Sequence, residues 1–228
     1  MRLLSTLGVF GVLDVVMPEW EAANGAKVAA SFDPTALMLE RIGRGERADA
    51  AFLTTAGIDA LIVDGVMVPG SRVDLARSLV GIAVRSGAPR PDLSTLESTR
   101  SALLAARCVA YSRKGRSGIF FSGVIERLGI AREVNARALV LENGVTAEAL
   151  LDARADLAVQ QVSELMLVAG VEVAGALPAG IQDDLLFAGG VFTDAAEPDL
   201  ARSLIAAMAD PRRAGLYEAK GLEPVNRG

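Results

Sequence analysis

The sequence predicts an α/β fold in two lobes, each a mainly parallel sheet flanked by helices. Three observations point there. Strand-like and helix-like stretches alternate along nearly the whole chain, the pattern of parallel sheet with right-handed crossovers. Apolar residues make up 51% of the 228 residues but aromatics only 4%. The surplus is Ala, Val and Leu, which suits helices packed on a buried parallel sheet. Finally, two long strands near Val80 to Val84 and Leu185 to Val191 can run from one lobe to the other. They set a first lobe of residues 1–82 with 187–228 and a second of residues 83–186. A discontinuous pair of this kind has a cleft between its lobes, the default place for a ligand.

The elements follow in order. Arg2 to Ser5 is a strand, Thr6 to Gly8 a turn, and a helix then runs to about Asn24. Val9, Val12, Leu13, Val16 and Trp20 recur on it at helical spacing, and Gly25 ends it. "AKVAASF" is a short strand. Asp33 and Pro34 open the next helix as N-cap and first helical residue, and it closes at Gly43 or Gly45. "ADAAFLT" is a strand, "AGIDALIVDG" a short helix, "RSLVGIAVRSG" one longer strand and "APRPDL" a loop. "LESTRSALLAA" is helical, "RCVAYS" a strand, and a helix follows to Leu128 and Gly129. "ARALVLE" is a strand, "TAEALLDAR" a helix and "ADLAVQQ" a strand. "VEVAGALP" and "DDLLFAGGVF" are strands. "EPDLARSLIAAMADP" is the last long helix.

Composition excludes several classes of chemistry. The net charge of −5 argues against nucleic-acid binding. There is no histidine, which removes the commonest metal ligand and proton shuttle; no metal site, Ser-His-Asp triad or cofactor is expected. Cys108 is the single cysteine, so no internal disulfide forms. No apolar run reaches the roughly 18 residues of a membrane span, so no membrane insertion is expected. The opening run is interrupted by Asp14 and lacks a small-residue cleavage site. With Met1 as the start, this predicts a cytoplasmic protein; removal of an upstream leader would make it periplasmic.

Chemistry concentrates where helices begin directly after strands. Ser5, Thr6, Leu7 and Gly8 form the first such junction, Asp33, Pro34 and Thr35 the second, and Arg116, Ser117 and Gly118 the third. Ligands of open parallel sheets bind beyond the carboxyl ends of the strands. Helix N-termini there offer free N–H groups and partial positive charge. Capping alone explains any one junction; together they point to an anion site. The third also carries Arg113, Lys114 and Arg116. A solvated loop, or pairing with acids such as Glu126, is the plain alternative. Arg matches a carboxylate bidentately, so at least one Arg is expected to hold a ligand carboxylate. In "ADLAVQQVSEL", strand alternation sends Gln160 and Gln161 to opposite faces, so one reaches the cleft. Ser163 and Glu164 there also suit a helix start.

With "VAASFDPTALMLERIGRGERADAAFLTT" early, the order of elements resembles the molybdate-binding proteins of ABC transporters, two-lobed type II periplasmic solute-binding proteins. "SLVGIAVRSGAPRPDLST", "SGIFFSGVIERLGI", "LAVQQVSEL" and "GALPAGIQ" are similar to a subgroup that includes aconitate isomerase. The resemblance implies oxyanion contacts around Thr6 to Gly8, Thr35, Ser117, Gly118, Val145 and Gln161. This chain has Gly8 and Gln161 where molybdate binders hold Ser and Tyr, and its cations contrast with their neutral donors. A small di- or tricarboxylate is therefore the expected ligand, isomerised by an allylic proton shift. The base is left among Lys114, Tyr111, Glu164 or a ligand-adjacent hydroxyl. The alternative is a non-catalytic receptor, working with an ABC transporter permease or as a cytoplasmic sensor.

Overall fold

The computed structural model describes residues 1–142, 144–183 and 185–225. The chain forms two compact units, Met1–Ser78 with Leu185–Gly228, and Leu79–Asp184. Asp184, placed by the sequence in the strand that leaves the second lobe, and residues 226–228 of the expected first lobe lie outside the described residues.

The first unit begins with β1 (Arg2–Ser5), a 3-10 turn (Leu7–Val9), α1 (Phe10–Asn24), β2 (Ala29–Phe32), α2 (Thr35–Gly43), β3 (Ala50–Thr54), α3 (Thr55–Val63) and β4 (Val73–Ser78). The second unit holds β5 (Val80–Arg85), α4 (Leu96–Ala105), β6 (Val109–Ser112), α5 (Arg116–Arg127), α6 (Ala131–Asn135), β7 (Leu139–Leu141), α7 (Glu148–Leu151), β8 (Leu157–Gln161), α8 (Val162–Leu165) and β9 (Val171–Ala176). The chain returns to the first unit with β10 (Leu185–Val191), α9 (Pro198–Met208), α10 (Ala214–Ala219) and β11 (Leu222–Pro224).

The sheet of the first unit has the order β11-β4-β10-β3-β1-β2, and that of the second β7-β6-β8-β5-β9. Both are mixed, which corrects the expectation of mainly parallel sheets. β1 runs parallel to β2 and β3, and β6 runs parallel to β7 and β8. β10 is antiparallel to β3 and β4, and β5 to β8 and β9. The cause lies in the stretch read as one strand, "RSLVGIAVRSG". It is two strands, β4 and β5, separated by Leu79 and belonging to different sheets. β5 follows β4 with no helix between them, and β10, returning from the second unit, inserts antiparallel between β3 and β4.

Alternation along the strands builds a core on each face of each sheet. In the first unit Leu3, Phe52 and Phe187 bury on one side, with Val12, Leu13, Val16 and Trp20 of α1. Leu4, Ala51 and Leu53 bury on the other, with Met38 and Ile42 of α2. The Trp20 indole N–H donates to Ser203 Oγ of α9 at 3.0 Å, fixing one helix on the other. Gly25 takes φ +61° and closes α1 in the left-handed conformation that glycine adopts without a Cβ penalty. In the second unit Tyr111, Phe121 and Val159 lie in one core and Ala110, Ala158 and Leu165 in the other.

Two local expectations are corrected. Asp33 does not cap α2: its carboxylate pairs with Arg41, and Pro34, at ψ 144°, is the N-cap. Thr35 is therefore the first helical residue. The helix expected over residues 146–154 is the single turn α7, because Ala153 takes φ +57°, a left-handed conformation that a helix does not propagate through.

Candidate functional site

Parallel register brings the junctions of the first unit to one sheet edge. Ser5 pairs with Phe32 of β2 and Phe52 of β3, so Thr6 and Thr35 follow the carboxyl ends of neighbouring strands, and Thr54 is the last residue of β3 beside them. Ser5 is buried and its hydroxyl donates to the Thr6 carbonyl at 3.0 Å. Thr6 is buried, its N–H donates to the Phe52 carbonyl at 2.9 Å, and its side chain makes no cap bond. Gly8 sits against the Phe187 ring; a Cβ there would overlap the ring edge. That packing is the physical reason why this position holds no side chain. The Thr35 hydroxyl is buried without a hydrogen-bond partner among the described residues. Thr54 Oγ1 caps α3 by accepting from the Gly57 N–H at 3.2 Å.

The second unit assembles its own edge where β6, β7 and β8 end. Ser112 pairs with Leu141, which sets Glu142 beside the loop that follows β6. Arg113 Nε lies 2.8 Å from Glu142 Oε1, and Lys114 Nζ 3.5 Å from Glu142 Oε2. Arg116 makes a two-pronged pair with Asp183, Nε to Oδ2 at 3.0 Å and Nη2 to Oδ1 at 3.1 Å. These hydrogen bonds raise the Arg116 pKa. The cationic loop is thus not an unpaired positive patch: the anions that relieve its repulsion come from the same chain. The partners are Glu142 and Asp183, not Glu126.

Arg116 also opens α5, a twelve-residue helix whose N-cap is Gly115. Ser117 and Gly118 are buried in its first turn. A Cβ on Gly118 would overlap the Ser112 carbonyl oxygen, so only glycine lets the helix start this close to the strand end. Val145 lies partly buried just before α7, its carbonyl accepting from the Glu148 N–H at 3.2 Å.

The end of β8 holds the most unusual electrostatics. Gln161 is the N-cap of α8 and is 6% exposed. Among the described residues its Oε1 and the nearby Ser163 Oγ are buried without hydrogen-bond partners. Buried polar atoms are rarely left so, and each such atom needs an explanation. Glu164 is 8% exposed. Burial lifts its carboxyl pKa to about 7, against a smaller lowering by its hydrogen bond from Gln160. Gln160 Nε2 donates to Glu164 Oε2 at 2.6 Å. Gln160 Oε1 accepts from both the N–H (2.8 Å) and the hydroxyl (2.9 Å) of Thr146.

The three residues considered as bases are therefore in different settings. Tyr111 is buried, donates its hydroxyl proton to Asn135 Oδ1 at 2.7 Å, and packs edge-on to Phe121. Burial raises its pKa. Lys114 is exposed and paired with Glu142. Glu164 alone is a buried group poised to change charge near neutral pH.

Sequence reasoning missed Gln160, Thr146, Glu142 and Asp183. For Gln160 the signal was present in the doubled Gln, but alternation admits only one of the pair to the cleft and the family resemblance selects Gln161. The acids are visible in the sequence, but strand register decides which cation they meet. Among the described residues no group of three or more His, Cys, Asp or Glu is arranged to hold a metal ion. No described helix is long and apolar enough to cross a membrane.

Two mixed sheets with strand-to-helix junctions at one edge define a class, the periplasmic binding-protein fold. The chain is similar to the periplasmic molybdate-binding protein of Azotobacter vinelandii, with TM-score 0.79 and 18% identity over 97% of this chain and 98% of that one. The sulfate-binding protein of Mycobacterium tuberculosis gives TM-score 0.76 and 15% identity over 99% and 87%. At these identities the likeness is one of fold. A family model described as bacterial extracellular solute-binding protein matches residues 1–223, and the chain belongs to that family. A curated aconitate isomerase from a Pseudomonas species is 31% identical over 231 aligned positions, covering 99% of this chain and 88% of the relative.

Proposed function

We propose that this protein binds a small di- or tricarboxylate and isomerises it by an allylic proton shift, an aconitate isomerase-like activity. One observation of the site carries the ligand class. At the start of α5, beside buried Ser117 and Gly118, the Arg116 fork already holds a carboxylate in bidentate geometry, that of Asp183. A ligand carboxylate that takes the place of Asp183 meets the same fork and the positive end of a full-length helix. Gln161 is assigned to a further contact on the same unit, with Val145, Arg113 and Lys114 at the margin, and Ser5, Thr6, Gly8 and Thr35 form a separate candidate anion-binding set within the first unit. The 31% identity to aconitate isomerase along nearly the whole chain supports the reaction class. In this reading the enzyme works in the cytoplasm without a metal or cofactor.

A second reading is favoured by the family itself, whose description is that of extracellular solute-binding proteins. Here the protein closes on its anion without chemistry and delivers it to an ABC transporter permease. A thermal-shift panel of molybdate, sulfate, dicarboxylates and tricarboxylates tests the ligand class. The expected result is stabilisation by tricarboxylates; stabilisation by molybdate alone would overturn it. Fractionation of cells producing the protein from its intact gene separates the cytoplasmic from the exported reading.

A further inference from the structure

Resting on the isomerase reading, we infer that Glu164 is the group that carries the proton, and that Gln160, anchored by Thr146, positions its carboxyl. The geometry argues this in three steps. First, the orientation of the Gln160 amide is fixed. Its oxygen accepts from the Thr146 N–H, and the Thr146 hydroxyl is shared between that oxygen and the Val159 carbonyl, so its NH₂ faces Glu164 and donates at 2.6 Å. Glu164 Oε2 is thereby held, and the second carboxyl oxygen is left for proton transfer. Second, Glu164 is the third helical residue of α8 and Gln161 its N-cap. Side chains at these two positions are neighbours on a helix start. Among the described residues Gln161 Oε1 and Ser163 Oγ there are buried and unpartnered, which points to a polar ligand reaching this turn. Third, the other candidates are engaged elsewhere, Tyr111 with Asn135 and Lys114 with Glu142. The raised carboxyl pKa agrees with the role, since a proton carrier works best near the operating pH.

The step balances without any co-reactant. The Glu164 carboxylate takes a proton from the methylene carbon beside the ligand's double bond: that C–H bond breaks and an O–H bond forms. The electron pair spreads over the allylic system and onto the attached carboxylate. Glu164 then returns the proton to the former vinyl carbon, where a C–H bond forms as the O–H breaks. The double bond has moved and the enzyme is restored.

The test uses the full chain in heavy water with trans-aconitate, following solvent deuterium by proton NMR. Glu164→Gln keeps the shape and the Gln160 contact. It is expected to hold trans-aconitate with affinity within about threefold of the unsubstituted protein, while exchange falls about 10²–10⁴-fold. Exchange within threefold of the unsubstituted protein overturns the assignment and leaves the isomerase reading standing. Binding without exchange by the unsubstituted protein overturns both. Gln160→Met gives a second readout. Removing the hydrogen bond that favours the charged carboxyl is expected to move the rising limb of the exchange rate to higher pH by about one unit. A lower rate with an unmoved limb reduces Gln160 to a structural contact and overturns its positioning role.

Discussion

Glu164→Gln also has a consequence for folding that is independent of any substrate. In the folded chain the carboxyl pKa is raised from 4.5 to about 7 by burial. Below pH 4.5 the group is protonated in both folded and unfolded chains and costs nothing. As pH rises through this window the unfolded chain releases its proton before the folded one does. The folded state is therefore progressively penalised up to about pH 7, after which the penalty is constant. A difference of about 2.5 units corresponds to about 3 kcal/mol, at about 1.4 kcal/mol per unit. Glutamine at this position never ionises and escapes the penalty. The variant is thus expected to match the unsubstituted protein near pH 4.5 and to exceed it above pH 7.5. For a chain of this size about 3 kcal/mol is about 6–12 °C in melting temperature. Differential scanning calorimetry of both proteins from pH 4.5 to 8.5 reads the difference directly. A melting-temperature difference that stays flat across this range refutes the reasoning, because Glu164 would then titrate as an ordinary exposed carboxyl.

Other consequences follow from the two edges. Arg116→Ala removes an ion pair whose guanidinium is 57% exposed but whose Asp183 carboxylate is only 14% exposed, so stability should fall by about 1–3 kcal/mol; tricarboxylate affinity measured by calorimetric titration should fall tenfold or more. Asp183→Asn should raise that affinity, since it frees the fork; an unchanged or weaker affinity speaks against ligand and Asp183 sharing Arg116. Gly118→Ala places a Cβ into the Ser112 carbonyl and should cost about 1–3 kcal/mol in urea unfolding. Gly8→Ser meets the Phe187 ring and should destabilise to a similar degree, with partial relief when Phe187→Leu is added.

Much of the fold was legible because its signals are local. Val12, Leu13, Val16 and Trp20 mark a buried helix face by spacing alone, and Gly25 marks its end by conformation. The failures share a cause, which is that pairing between distant segments leaves little local trace. Nothing in "RSLVGIAVRSG" says that Leu79 separates strands of two different sheets, or that β5 runs antiparallel to its neighbours. Ala153 gives no local sign of its left-handed turn, so α7 was read too long. The same limit applies to the site. The place of Ser117 and Gly118 in the first turn of a helix was legible because a strand-to-helix junction is readable in sequence. Glu142 and Asp183 were not assigned to the cations, because only register and the return of the chain bring them there. Gln160 was set aside because the family resemblance selects Gln161 from the pair that strand alternation separates. Only the fold brings Thr146 and Glu164 to Gln160.

In the proposed function a carboxylate ligand is not only held but rearranged. Proton NMR of the unsubstituted protein with cis- and trans-aconitate in heavy water tests it most directly. Interconversion of the two is expected, with solvent deuterium appearing at the allylic carbons. Stabilisation of the protein by these acids with neither conversion nor deuterium uptake would contradict it and leave a binding protein.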